Sequence, residues 1–499
     1  MIFEILENAL IKGLNTLVSP TRAKKSMEPS RILIGRAAHL YHPNHWEEIT
    51  LEPENLLRHV YALGGTGMGK TKFTEFLSQR IMHADHGLCV IDPHGDLTQN
   101  ILKYLCHQAT QSEIDELGER LILIEPFDCE WAIGFNPLDS DEPFAASLRL
   151  TDIFRRFWGD GYWGPRMDEL FRNGLVTLCE NNLTLLETRP LLTHPDFRAR
   201  LVENVSFGEV RDYWNHRYNP LSEKMQSMYR EPVLNKITAF IADPSIYRIL
   251  CQSRNTIDFR EAMDQGKWIL LNLSKGHLGE NMRLLGTLFL NNLKQAAFSR
   301  IDIPEETRRP FFVFADEFQS FMGGDVASIE TVLSESRKFR LGLCISHQNL
   351  DQIPQQLRQA ILGNVGTEVF FRLSNHDAAI VSSEMSHGEK HMIEKRLIDF
   401  KVGEAYLKIK GQKVRLFKTI HVPSLRIAEQ IVDSLKQASF RNWAMPVNEV
   451  EEEIAERRRM WEGGGALDNY SPIEPMREVI HPEDALPAHD FFEEGQNEW

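Results

Sequence analysis

The sequence predicts an α/β chain: a mainly parallel sheet with helices on both faces, interrupted by an all-helical insertion. Three observations predict it. From Leu56 onward short apolar runs alternate with helix-period stretches, as strands buried on both faces alternate with crossovers. One run opens into a glycine-rich loop and then a helix, at Gly64-Gly65-Thr66-Gly67-Met68-Gly69-Lys70-Thr71. Another, Phe311-Phe312-Val313-Phe314-Ala315, ends in the acid pair Asp316-Glu317, and ligands sit at strand ends in open α/β sheets.

A chain of 499 residues, 42% hydrophobic and 25% charged, has the composition of a globular protein and excludes fibrous and wholly disordered classes. Its formal charge of -15 argues against a surface coated with nucleic-acid contacts. A local basic channel stays open, because the field follows the placement of charges and not their sum. The six cysteines are scattered without a Cys-x-x-Cys pair, which fits a reducing cytoplasm and predicts neither a disulfide framework nor a zinc site. No uncharged apolar run reaches the length of about 18 residues that a membrane helix needs. Met1 to Val18 lacks a basic start and a small-residue cleavage site, so it does not read as a signal peptide.

The elements follow in order. Residues 1–31 read as an amino-terminal arm, with Ile2, Ile5, Leu6, Ala9 and Leu10 on one helical face suited to docking on protein, the competing reading being a membrane surface, for which the polar face lacks basic residues. The first part of the core, 32–140, carries strands at Val60-Gly64, Leu88-Asp92 and Leu121-Phe127, with a helix over Lys70-Ala84. Residues 141–265 break the rhythm: helix-period segments such as Met167-Glu180 and Pro195-Glu203, broken by Pro and Gly, predict the helical insertion. The second part of the core, 266–425, carries strands at Trp268-Ser274, Phe311-Asp316, Leu341-Ser346 and Glu368-Leu373. Its helices are Gly279-Arg300 and Val326-Phe339, and a hairpin joins Glu404-Ile409 to Lys413-Thr419 about Gly411. From 426 to 499 a charged helix gives way to Gly463-Gly464-Gly465 and a Pro- and acid-rich tail of the kind that orders poorly.

Residues 64–71 match G-x-x-x-x-G-K-[ST] in full. Small residues let backbone N–H groups curl around phosphate oxygens, and the helix that follows presents its positive end. Gly64, Gly65, Thr66, Gly67, Met68 and Gly69 are the expected cradle, Lys70 the contact to the β/γ-phosphates, and Thr71 a ligand of Mg²⁺. Asp316 is the expected second holder of Mg²⁺, through water, and Glu317 the residue that polarises the attacking water. The competing reading of an acid pair after a strand is a solvated turn. Leu341-Gly342-Leu343-Cys344-Ile345-Ser346-His347-Gln348 ends in Gln348, read as a sensor of γ-phosphate or water, or else as a cap on the next turn.

Three cations compete for the role of an arginine donated to the transition state, Arg337, Arg340 and Arg372. Helix-end cations are also explained by the macrodipole alone. Asp92, in Ile91-Asp92-Pro93-His94-Gly95-Asp96, shapes the phosphate site or stabilises the turn. His39, His42 and His45 recur at threes, but Pro43 breaks any helix that would align them on a metal.

In combination these blocks resemble the HerA–FtsK superfamily of motor ATPases, with a RecA-like P-loop core, and within it the conjugative coupling ATPases of type IV secretion. The resemblance rests on Gly64 to Thr71, Ile91 to Leu97, Ala315-Asp316-Glu317-Phe318-Gln319, Leu333 to Lys338 with Ser346-His347-Gln348, and Gly363 to Thr367 with Phe371-Arg372-Leu373. It runs from about Ile32 to Pro423 and implies ATP hydrolysis with Mg²⁺, a homohexameric ring, nucleotide between subunits, and DNA drawn through a central pore. Two departures stand out: the transmembrane helices usual in coupling proteins are not seen, and the residues before Ile32 are too few for the β-barrel that opens HerA proteins. The expected location is therefore the cytoplasm, with a partner recruiting the ring to a membrane. Pore contacts are expected from Ser274-Lys275-Gly276-His277 and from Gln319-Ser320-Phe321-Met322-Gly323-Gly324, with ordinary surface loops as the competing reading. The alternative function is a motor that remodels or secretes protein and moves no DNA, with the acidic tail as a docking segment.

Overall fold

The computed structural model describes residues 31–462 apart from 43, 108, 322–325 and 386–387. The amino-terminal arm and the acidic tail expected from the sequence lie outside the described residues.

Among the described residues eleven strands form a single sheet, with the first two as a hairpin on one edge. In β1 (Ile32–Ala38) and β2 (Trp46–Leu51) the antiparallel pairing brings Ile32 opposite Leu51. The connection holds His39, His42 and His45, and the His39 N–H donates to the His45 carbonyl at 2.8 Å, so these histidines mark a turn.

β3 (Val60–Leu63) leads through the glycine loop into α1 (Lys70–His83), and β4 (Gly87–Asp92) leads into α2 (Asp96–Cys106). β5 (Leu121–Ile124) and the two-residue β6 (Trp131–Ala132) precede the helical region. That region includes α3 (Pro143–Trp158), α4 (Pro165–Glu180), α5 (Thr188–Thr193), α6 (Glu223–Ile241) and α7 (Pro244–Leu250), and no strand lies between 141 and 265 among the described residues. Proline opens α3, α4 and α7 in the first turn, where its missing N–H costs nothing. The chain returns to the sheet with β7 (Trp268–Asn272), α8 (Asn281–Phe298), β8 (Phe311–Ala315), α9 (Val326–Glu335) and β9 (Leu341–His347). β10 (Thr367–Phe370) precedes the hairpin β11 (Glu404–Ile409) and β12 (Arg415–Lys418), and α10 (Glu429–Trp443), β13 (Met445–Pro446) and α11 (Val447–Glu462) follow.

The central strands run parallel in the order β10-β3-β9-β8-β4-β7-β5, and β11, β12, β1 and β2 extend the sheet antiparallel beyond β10. The seven strands read from the sequence are these seven parallel ones. Every residue of β3, β4, β7, β8 and β9 is buried, as the continuous apolar runs require of strands covered on both faces.

One apolar core fills each face of the sheet, and the core shared by β3, β7 and β8 continues without a break into the helical insertion. Phe259, near the end of the insertion, packs edge-on against Phe289 of α8 at 5.8 Å, joining insertion and core. The insertion is thus seated on the sheet.

The carboxy-terminal helices close the structure over β5. Ser439 on α10 accepts from the Leu123 N–H at 3.0 Å and donates to the Leu121 carbonyl at 2.7 Å, satisfying an edge strand that would otherwise invite pairing. Lys436 reaches the buried Glu125 at 2.7 Å. α11 clamps the insertion: Arg457 pairs with the buried Glu187 at 3.2 Å, and Arg248 of α7 pairs with Glu451 at 2.7 Å. No helix among the described residues is long and apolar enough to cross a membrane.

Candidate phosphate-binding and hydrolytic site

The candidate site lies at the carboxyl ends of β3, β8 and β9, where the strand order brings three loops together. The loop of residues 64–69 turns on Gly67 and Gly69, whose φ angles of 73° and 110° are left-handed and favour glycine. At Gly64 the need is space, since a Cβ there would sit 2.5 Å from the Cβ of Phe371. Gly64 and Gly65 are tied to the sheet by donating to the His347 carbonyl at 3.4 Å and the Arg372 carbonyl at 2.9 Å. The N–H groups of Gly67, Gly69, Lys70 and Thr71 find no acceptor among the described residues. These four donors, at the positive end of a 14-residue helix, are the cradle that an anionic phosphate chain fits.

Lys70 is buried and spans the cradle from inside, donating to the carbonyls of Gly64 at 2.5 Å and Gly65 at 3.2 Å. Burial pushes its ammonium pKa down, while Glu317 and Asp316 pull it back up. A phosphate is the better acceptor for such a cation, since it supplies the charge that burial withholds.

The two acids after β8 face this lysine. Asp316 is buried and accepts from the Thr71 hydroxyl at 3.2 Å, from the Ser346 hydroxyl and from the Glu317 N–H at 3.1 Å. Thr71 and Asp316 form a hard oxygen pair, the donor type Mg²⁺ takes. Glu317 has a φ of 47°, unusual for a residue with a side chain, of a kind that costs about 1–3 kcal/mol and persists where the surroundings enforce it. Its carboxylate is held from two sides, by the Gln348 amide at 2.7 Å and the Gln319 amide at 2.5 Å. Gln348 also accepts from the Thr66 hydroxyl at 3.0 Å, so it bridges the glycine loop to Glu317. The backbone N–H of Gln348 is fixed in turn by Gln352 at 3.0 Å.

Behind Gln348, the buried His347 joins β9 to β3. The Tyr61 hydroxyl donates to His347 Nε2 at 2.6 Å, and His347 Nδ1 donates to the Asn349 carbonyl at 2.8 Å. Burial pushes the His347 pKa down to about 4, so the ring is neutral and holds this tautomer.

The structure brings residues 64–71, Asp316, Glu317 and Gln348 together and spreads the arginines apart. Arg372 follows β10 at the rim of the loop, its side chain exposed. Arg337 sits on a 3-10 turn before β9, at the opposite ends of the parallel strands from the loop, also exposed. Arg340 is committed elsewhere, to an ion pair with Glu54 at 3.1 Å. Asp92 stabilises its turn: its two oxygens accept from the His94 N–H at 3.0 Å and the Thr98 N–H at 2.8 Å.

Of the loops expected to line a pore, Lys275 to Leu278 is a helical turn whose His277 stacks on Phe127 at 4.2 Å, with Lys275 exposed. In the second loop Gln319 turns to Glu317, and Phe321 is buried against Gly286. Residues 322–324 lie outside the described residues. Sequence reasoning missed Gln319, Ser346 and Tyr61 as parts of the site. Only Gln319 carried a local signal, two residues after Glu317.

Residues 38–145 match the family model for the central domain of helicase HerA, and residues 248–403 match that for the DNA-binding domain of the type IV secretion-system coupling protein. No curated protein matches the chain. The solved plasmid coupling protein TrwB in complex with ADP and Mg²⁺ is similar at 15% identity and a TM-score of 0.53, over 76% of this chain and 88% of that one. An unbound form of the bacterial conjugative coupling protein TrwB gives 15% identity and a TM-score of 0.52 over 75% and 87%. VirB4 of Thermoanaerobacter pseudethanolicus is similar at 15% identity and a TM-score of 0.52, over 79% of this chain and 98% of that chain.

Proposed function

We propose that this chain, a P-loop ATPase of the HerA–FtsK superfamily similar to the conjugative coupling ATPases, hydrolyses ATP to drive the movement of DNA. The observation that carries the reading is the convergence of four unpartnered loop N–H groups, a buried lysine and two acids on one strand-end crevice. The match of residues 248–403 to a DNA-binding domain supports DNA as the polymer.

On this reading the N–H groups of Gly67, Gly69, Lys70 and Thr71 hold the β- and γ-phosphates, and Lys70 releases its own loop carbonyls to reach them. Thr71 and Asp316 would hold Mg²⁺, which would supply positive charge to neutralise the phosphate oxygens. Glu317 accepts a proton from the water that attacks the γ-phosphorus, and the bond to the leaving β-phosphate oxygen breaks in line. Gln348, joined to both the loop and Glu317, registers whether the γ-phosphate is present. Arg372 serves the nucleotide of its own subunit. Arg337 lies at the far side of its own sheet, so it serves a neighbour's nucleotide, which calls for more than one copy; the ring of six is what the resemblance to the coupling ATPases implies.

The test is the rate of ATP hydrolysis with and without DNA at low salt, beside images of the protein with ATP. The expected result is turnover raised by DNA, abolished in Glu317→Gln, from six-membered rings. Turnover that no DNA changes, with no DNA binding at low salt, favours the protein-moving alternative, to which the net charge of -15 inclines.

A further inference from the structure

Away from the nucleotide site, α5, α6, α7 and α11 enclose a groove of ≈ 420 Å³. Its floor is apolar, formed by Leu186, Leu234, Ile237 and Ile241. Its rim is cationic: Arg189 on α5 and Arg458 on α11 are both exposed, neither has an ion-pair partner among the described residues, and no acidic side chain lines the groove. Arg458 is steadied over the Tyr247 ring at 5.8 Å. In the wall, the indole Nε1 of Trp461 is shut off from water and finds no acceptor among the described residues. The groove therefore suits apolar side chains flanked by carboxylates.

The chain itself carries such a segment at the groove's edge. α11 ends at Glu462, one residue beyond Trp461, and Gly463-Gly464-Gly465 follows, able to take the backbone angles that reverse a chain. The next nine residues, Ala466-Leu467-Asp468-Asn469-Tyr470-Ser471-Pro472-Ile473-Glu474, offer Leu467, Tyr470 and Ile473 at intervals of three, with two carboxylates. The first positive charge after the helix is Arg477, and residues 463–499 hold nine acids against that single arginine. We propose that residues 466–474 fold back and fill this groove in the same chain, latching α11 to the helical insertion. A tether of three glycines sets an effective concentration in the millimolar range, so contacts too weak to hold a free peptide suffice here. This latch is independent of the nucleotide reading.

The test is amide hydrogen exchange of residues 463–476 in the full-length protein, compared with the double variant Arg189→Glu, Arg458→Glu. The latch predicts exchange slowed about tenfold or more in the parent at every protein concentration, and raised to the free-chain rate in the variant. A tail variant, Leu467→Asp with Ile473→Asp, alters no packed element and is expected to give the same release. Three results overturn the proposal: free-chain exchange in the parent, protection that neither variant disturbs, or protection lost on dilution, which assigns the groove to a second copy.

Discussion

Gln319→Leu removes one of the two amides that hold the Glu317 carboxylate, at 2.5 Å, and leaves the Gln348 contact at 2.7 Å in place. Gln319 makes no bond to the glycine loop, so the substitution acts on the acid and leaves the phosphate cradle alone. A hydrogen bond to a charged group is worth about 1.5–3 kcal/mol. If that restraint is fully expressed when Glu317 meets the attacking water, its loss lowers turnover by roughly 10- to 150-fold, at 1.36 kcal/mol per factor of ten. The assay pairs steady-state ATP hydrolysis with direct titration of a non-hydrolysable ATP analogue. The expected pattern is a fall in kcat with unchanged nucleotide affinity. Turnover at the parent rate refutes the positioning role, and so does a loss of affinity that parallels the loss of rate, which marks a general structural defect.

Mixing tests divide the arginines: Arg337→Ala subunits combined with Lys70→Ala subunits should regain about a quarter of parent activity, because each competent site then draws its arginine from the neighbour. The same mixture made with Arg372→Ala should stay inactive. Stability should fall as the pH drops from about 6.5 to about 4, because burial pushes the pKa values of His59 and His347 down to about 4. Their unfolded forms bind protons first, so the contribution is complete above the unfolded pKa and is lost as pH falls towards the folded one. Melting temperature against pH measures this. Arg457→Met should destabilise the protein by about 3–5 kcal/mol in denaturant titration, because it strands the buried Glu187 without its cation.

What the sequence made legible follows from where its signals are local. Most of the seven parallel strands announced themselves because strands buried on both faces are written as apolar runs, Leu121 to Ile124 and Phe311 to Ala315 among them, although β10 carries Glu368. β1 and β2 did not, because Gly35 and Arg36 break the apolar run of β1 and most of β2 is half-buried or exposed. The partner that anchors β1 is β12, whose Phe417 lies opposite Ala37 from the far end of the chain. α11 reads as a surface helix because Glu449, Glu451 and Glu452 crowd its start, while the features that seat it, Arg457 on Glu187 and Arg248 on Glu451, join residues more than 200 positions apart. The glycine loop and the acid pair were legible as contiguous motifs. Gln319, Ser346 and the Tyr61–His347 pair were not, since their meaning lies in hydrogen bonds that exist only once β3, β8 and β9 are neighbours.

The central claim, that a triphosphate is gripped by the glycine loop and split beside Glu317, is tested most directly by a single turnover of bound ATP in the parent and in Glu317→Gln. The account predicts that both proteins retain ATP, and that only the parent converts it to ADP and phosphate, the variant being slower by about 100-fold or more. Equal conversion in the two proteins, or no ATP retained by the parent, contradicts it.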